Sequence, residues 1–133
     1  MAATAQALQL VQAAASAAAD KLASNILAFD VSEQLVITDA FLVCSGANDR
    51  QVGAIVDAVE ERLRLFDAKP VRREGVREAR WVLLDYIDIV VHVQRADEFA
   101  FYALERVWRD CPLIPLPAEV TSGQRPAQSE ASG

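Results

Sequence analysis

The chain reads as an α/β domain of the α+β kind, a mixed sheet of about five strands packed with helices. Three observations predict it. Val52, Ile55, Val56, Val59, Leu63 and Phe66 recur at helical spacing, the stripe of an amphipathic helix. Arg80 to Gln94 holds two β-type apolar runs around the polar break Asp85-Tyr86-Ile87-Asp88, which is a hairpin pattern. Strand-like runs also stand before and after the central helix. That arrangement predicts a parallel crossover, right-handed by the usual rule.

Taken in order, Thr4 to Ser24 reads as a helix, with Leu8, Val11, Ala15, Ala18 and Leu22 on one face and alanine favouring the helical state. Ile26 to Val31 is the first strand. Ser32 to Asp39 is a connection with an extended piece at Leu35-Val36-Ile37. Phe41 to Cys44 is the second strand, closed by Ser45-Gly46. Asn48 is an N-cap with Asp49 in the first turn, and that helix ends near Asp67, before Pro70. Pro70 to Arg73 is the third strand, and Glu74-Gly75 opens a charged loop. The hairpin follows. Asp97 caps a last helix carrying Phe99, Phe101, Tyr102, Leu104, Val107 and Trp108, which Cys111-Pro112 stops. Residues 1–111 form one domain. Residues 112–133, rich in Pro, Ser, Gly, Gln and Ala, read as a disordered tail.

Composition narrows the function classes. The 133 residues carry a formal net charge of −6, with a pI of about 4.7. Phosphate-backbone binding needs clustered Lys and Arg, so little direct nucleic-acid contact is expected. A basic protein partner suits the charge better. No run reaches the roughly 18 apolar residues of a membrane span. The alanine-rich N-terminus lacks the charged and compact apolar regions of a signal peptide. Cys44 and Cys111 stand far apart and outside any CxxC pattern. A cytoplasmic protein with free thiols is expected.

Catalytic and metal-binding patterns are weak. Ser45-Gly46 before a helix lacks both the Walker lysine and a GxGxxG pattern, and a plain strand-to-helix turn accounts for it. Asp85 and Asp88 are turn acids rather than a DxD pair for Mg²⁺. Cys44 with His92 would make a nucleophile pair only if the fold joined them. One histidine and two separated cysteines argue against a zinc site. The expectation is no enzyme, no metal and no cofactor.

The hairpin is the most informative stretch. With Tyr86 and Ile87 as its loop, Leu84 lies opposite Ile89, Val82 opposite Val91 and Trp81 opposite His92. A type I turn from Asp85 to Asp88 would keep the same pairing. Alternation then puts Val82, Leu84, Ile89, Val91 and Val93 on an aliphatic face. Trp81, Leu83, Asp85, Asp88, Val90 and His92 share the other. An aromatic beside polar groups on one sheet face is typical of a contact surface. An ordinary core tryptophan beside a satisfied histidine remains the alternative.

Several separated motifs then carry a resemblance, in the right order and from the first helix to Cys111. They are Ser32 to Asp39, Phe41-Leu42-Val43-Cys44-Ser45-Gly46-Ala47-Asn48-Asp49-Arg50-Gln51-Val52, Arg73-Glu74-Gly75, Trp81 to Tyr86, Asp88 to Val93, and Phe101 to Trp108. Together they resemble the ribosomal silencing factor family, also called Iojap or RsfS. The alanine- and arginine-rich composition is similar to that of a high-GC, mycobacterium-like bacterium.

The resemblance implies a nucleotidyltransferase-like topology without the catalytic acids. It implies a translational repressor that binds the large ribosomal subunit through its fourteenth ribosomal protein. Joining of the small subunit would be blocked sterically under nutrient limitation, without chemistry, and the free protein would be a homodimer. Two other readings stand beside it, a nucleotidyltransferase-like nucleotide-binding enzyme and a dimeric interaction scaffold. By resemblance, the partner surface includes Trp81 and Leu83 as apolar anchors and Asp85 facing a basic group. Tyr86 and His92 join them, with Arg50 and Glu105 at the margin. The chain departs from the family pattern at Ile87, where glycine is usual, and at Gln94, where an aromatic is common.

Overall fold

The computed structural model describes residues 3–96 and 110–123. The Thr4 hydroxyl accepts the Ala7 amide at 3.1 Å and starts α1 (Ala5–Asp20). Its alanines let it lie close on the sheet. Ala7, Leu10, Val11, Ala14, Ala15, Ala17 and Ala18 are all buried. The helix stops before the expected Ser24, because Leu22 turns to a φ of 64° and leaves the stripe, 81% exposed. β1 (Ser24–Asp30) follows.

No strand forms at Leu35-Val36-Ile37. The Asp30 carboxylate takes the Ser32 amide and hydroxyl, and the Gln34 and Leu35 amides fold back on the Val31 carbonyl. This local turn chemistry leaves Val36 and Ile37 exposed.

β2 (Ala40–Gly46) is buried along its whole length. Asn48 then caps α2 (Asp49–Arg64) by accepting the Gln51 amide at 2.9 Å, while Gln51 Oε1 accepts the Ala47 amide at 2.6 Å. A Cβ on Gly46 would stand 3.1 Å from both Val52 Cγ2 and the Val52 nitrogen, so glycine lets α2 pack tightly there. β3 (Arg72–Glu74), β4 (Trp81–Asp85) and β5 (Ile89–Arg95) complete a five-stranded sheet in the order β1-β2-β5-β4-β3. The β2–β5 pair is parallel and the other pairs are antiparallel. α2 therefore carries the chain across one face to the far edge, where β3 runs in the same direction as β2. α1 and α2 cover that face over Ile26, Leu42, Cys44, Val82, Leu84, Ile89, Val91 and Val93.

The hairpin register differs from the expected one. Leu84 pairs with Val91, Leu83 with His92 and Trp81 with Gln94. The loop is Ile87-Asp88, closed by the Tyr86 amide donating to the Ile89 carbonyl at 2.9 Å. The shift is by two residues, so the sorting of faces survives it.

Disorder from residue 112 onward does not hold for the described part of the tail. The Asp30 amide donates to the Pro112 carbonyl, and the Ile114 amide to the Ala28 carbonyl, each at 2.8 Å. This segment thus covers the outer edge of β1, whose backbone groups would otherwise lack partners. A short helix, α3 (Ala118–Gly123), packs on α1 with Val120 fully buried. Ile114 and Val120 supply apolar anchors that average composition conceals. The last helix expected from Asp97 to Trp108 lies outside the described residues.

Candidate functional site

The sheet face away from α1 and α2 changes character from one edge to the other. Near β1 and β2 it is apolar and buried, with Phe29, Val31, Phe41, Val43, Val90 and Cys111 clustered and Leu83 packed against them. Toward β4 it opens, and at β3 it becomes charged and exposed. Trp81 stands where the apolar part meets the opening, 43% exposed.

Trp81 and His92 are diagonal neighbours across the β4–β5 pair, within reach of a large aromatic side chain. The indole Nε1–H donates to His92 Nδ1 at 3.3 Å, with the ring centroids 6.2 Å apart. On its other side His92 meets Phe41 edge-on at 5.0 Å. His92 is only 6% exposed. Burial pushes its pKa down to about 4, so it is neutral at pH 7. With Nδ1 accepting, the ring proton sits on Nε2, which is buried and has no partner among the described residues.

Asp85 borders the same face. One oxygen accepts the Ile87 amide at 2.8 Å, and the other meets Arg72 Nη2 at 3.4 Å. Arg72 also pairs with Glu74 at 3.2 Å. Asp85 therefore shapes the turn and tethers a rim cation, and part of its carboxylate is committed.

Tyr86 is not on this face. It closes the hairpin opposite Ile89, which turns its ring to the helix-covered side, where it is buried. Burial, aided by the Glu60 carboxylate, pushes its pKa up to about 12, and its hydroxyl has no partner among the described residues. The sequence predicts Tyr86 in the loop itself, and the two-residue register shift takes it off the face that carries Trp81 and His92.

Arg50 is exposed in the first turn of α2. It lines an open cleft of about 490 Å³ with Ala47, Asn48, Asp49 and Arg95. Arg95 pairs with Asp49 at 2.7 Å, and its amide donates to the Arg80 carbonyl, next to Trp81. Arg50 thus stands at the end of the sheet where β4 begins. Glu105 lies outside the described residues.

The catalytic combinations weighed above do not assemble. Cys44 pairs with Val93 and faces the helices, whereas His92 faces the opposite way. Burial also pushes the Cys44 thiol up to about 12. At the start of α2 the Asn48 side chain accepts the Gln51 amide, and the Gln51 side chain accepts the Ala47 amide just before the helix. Among the described residues, no three His, Cys, Asp or Glu side chains gather as metal ligands.

Three features escaped the sequence reading. Ser45 and Gln94 continue the alternation of Val43 and His92 onto the second face, and both are buried with side-chain atoms unpartnered among the described residues. Counting two residues past His92 would have found Gln94. Gly75, at a φ of 77°, lies against the Trp81 carbonyl and fixes where β4 starts. Arg72 and Glu74 form the charged rim.

The family model described as ribosomal silencing factor during starvation matches residues 4–133. The ribosomal silencing factor of Bacillus subtilis is 41% identical over 107 residues, covering 80% of this chain and 91% of its own length. The chloroplastic protein Iojap of Zea mays is 27% identical, with 85% of this chain aligned to 49% of that protein. A crystal structure from Bacillus halodurans superposes with a TM-score of 0.73 at 37% identity, over 81% of this chain and 98% of that one. A second, from Chromobacterium violaceum, gives 0.72 at 29% identity, over 76% and 84%. With the mixed five-stranded sheet and the motif order in agreement, the chain belongs to the ribosomal silencing factor family.

Proposed function

We propose that this protein represses translation by docking on the large ribosomal subunit and blocking entry of the small one. The contact partner in this reading is the fourteenth protein of the large subunit. The action is steric and needs no chemistry or cofactor. Family membership supports a regulator that acts on the ribosome. The observation that carries the docking reading is the exposed Trp81, set on His92 beside half-buried Leu83 and rimmed by Arg72, Glu74 and Asp85. An aromatic anchor with an apolar neighbour inside a polar rim is the anatomy of a protein-binding hot spot.

Within this reading Trp81 and Leu83 are the anchors, Asp85 and Arg50 are charged margins, and His92 and Tyr86 act from within the fold. Glu105 is a further marginal contact. The free protein is a homodimer, which sedimentation velocity tests directly.

The deciding experiment is co-sedimentation with purified large subunits, paired with light scattering of subunit joining. Wild type should pellet with the large subunit and suppress the joining signal. Trp81→Ala should weaken binding by about tens of fold, as loss of a central aromatic anchor does. A wild type that stays in the supernatant overturns the reading, and nucleotide-dependent thermal stabilisation with Mg²⁺ would then favour the enzymatic alternative.

A further inference from the structure

We infer that His92 is a positioning residue for docking: its Nδ1 holds the Trp81 indole in the orientation the partner meets, without His92 itself touching the partner. The inference rests on the docking reading above and assigns that face an internal support.

Five observations carry it. Trp81 is the large exposed side chain of the face, yet its ring nitrogen is bonded inward, 3.3 Å from His92 Nδ1. Gln94, not His92, lies directly opposite Trp81 in the sheet. The indole nevertheless leans diagonally to His92, and both ends of the Gln94 amide stay unpartnered among the described residues. His92 is itself braced edge-on against Phe41 from β2, so its ring cannot easily swing. At 6% exposure it offers almost no area to a partner. Its Nε2–H is left buried without an acceptor among the described residues. Stability alone would favour an apolar ring at this position, since an unpartnered buried donor is unfavourable. The contact that a phenyl ring could not make is the one from Nδ1 to Trp81. A tryptophan fixed before docking loses less side-chain freedom on binding.

The test uses the full chain in four forms: wild type, Trp81→Ala, His92→Phe and the double variant. His92→Asn, which keeps an acceptor near the Nδ1 position, is the conservative control. Two readouts are taken. The first is the Trp81 indole N–H signal by ¹H–¹⁵N NMR of the free protein, identified by its absence in Trp81→Ala. The second is affinity for purified large subunits.

The indole signal should move upfield in His92→Phe and return toward wild type in His92→Asn. Affinity should fall by about fivefold to tenfold in His92→Phe, the effect of losing one hydrogen bond. On the Trp81→Ala background the same change should do nothing further, because His92 acts only through the indole. An unshifted indole signal in His92→Phe, or additive losses in the double variant, overturns this inference while wild-type binding leaves the docking reading intact. Absence of wild-type binding overturns the docking reading and this inference together.

Discussion

Gly75 lies directly against the backbone of Trp81: a Cβ placed on it would collide with the Trp81 carbonyl oxygen. Its φ of 77° is also one that glycine adopts freely and other residues adopt only under strain. The turn that delivers Trp81 to β4 is therefore built around a missing side chain. Gly75→Ala should destabilise the fold by about 2 kcal/mol or more, from left-handed strain and backbone collision together. Urea denaturation measures this. Large-subunit binding should fall as well, since Trp81 must shift for the carbonyl to clear the new methyl. An unchanged midpoint would show that the loop relaxes without disturbing β4.

Ile87 is the opposite case. It sits at a φ of 74° in the hairpin loop, where a β-branched residue is strained. It is 45% exposed, so its side chain secures little packing in return. Left-handed geometry costs about 1–2 kcal/mol, while glycine gives up roughly 0.5–1 kcal/mol in chain entropy. Ile87→Gly should therefore raise stability slightly, by about 1 kcal/mol or less, with a melting temperature a few degrees higher. A drop in melting temperature would mean that the exposed isoleucine makes contacts worth more than its strain.

These two positions show what local sequence encodes and what it does not. The face sorting of the hairpin was legible, because alternation has a period of two and survived a two-residue error in register. The register itself was not. It depends on Tyr86 being drawn onto the helix-covered face, a contact made across the fold. The Asn48 cap was legible from residue type and position alone. Leu22 fitted the helical stripe yet lies past the end of α1, because the chain turns at Leu22 to reach β1. The tail failed for a similar reason: Ile114 and Val120 are two anchors in a polar, proline-rich stretch, and their burial depends on a β1 edge distant in sequence. Trp81 and His92 could be placed on one face from sequence, but the direction of the indole bond needed coordinates.

The pH dependence of stability should follow His92. In the unfolded chain its pKa is near the ordinary 6.5, and burial lowers it to about 4 in the fold. The unfolded state therefore takes up the proton first as pH falls. Stability should be level above pH 7 and decline from about 6.5 down to 4, with about 2 kcal/mol lost by pH 5. His92→Phe should flatten this stretch of the curve. Asp30 acts in a separate, more acid window. Desolvation raises its pKa, but hydrogen bonds from Ser32 and the Ala3 amide outweigh that and leave it below the usual 3.8. Urea midpoints measured from pH 2 to pH 8 distinguish the two. A wild-type curve level through pH 5 would show that His92 is protonated in place without difficulty.

Gln94 gives the sharpest test of whether the second face is arranged for stability. It is fully buried, and among the described residues neither end of its amide has a hydrogen-bond partner. A desolvated, unpartnered polar group typically costs about 1–3 kcal/mol. Leucine has nearly the same bulk and no polar atoms, so a good fit should lose little packing. Gln94→Leu should stabilise the protein by about 1 kcal/mol or more, read from urea denaturation at pH 7. Trp81 bonds to His92 and not to Gln94, so the indole signal and large-subunit affinity should stay close to wild type. If Gln94→Leu gains stability but loses binding, the buried amide serves the docking face in a way that the Trp81–His92 contact does not cover. If it loses stability, the amide has a partner in solution, and the polar row formed by Ser45, His92 and Gln94 is structural.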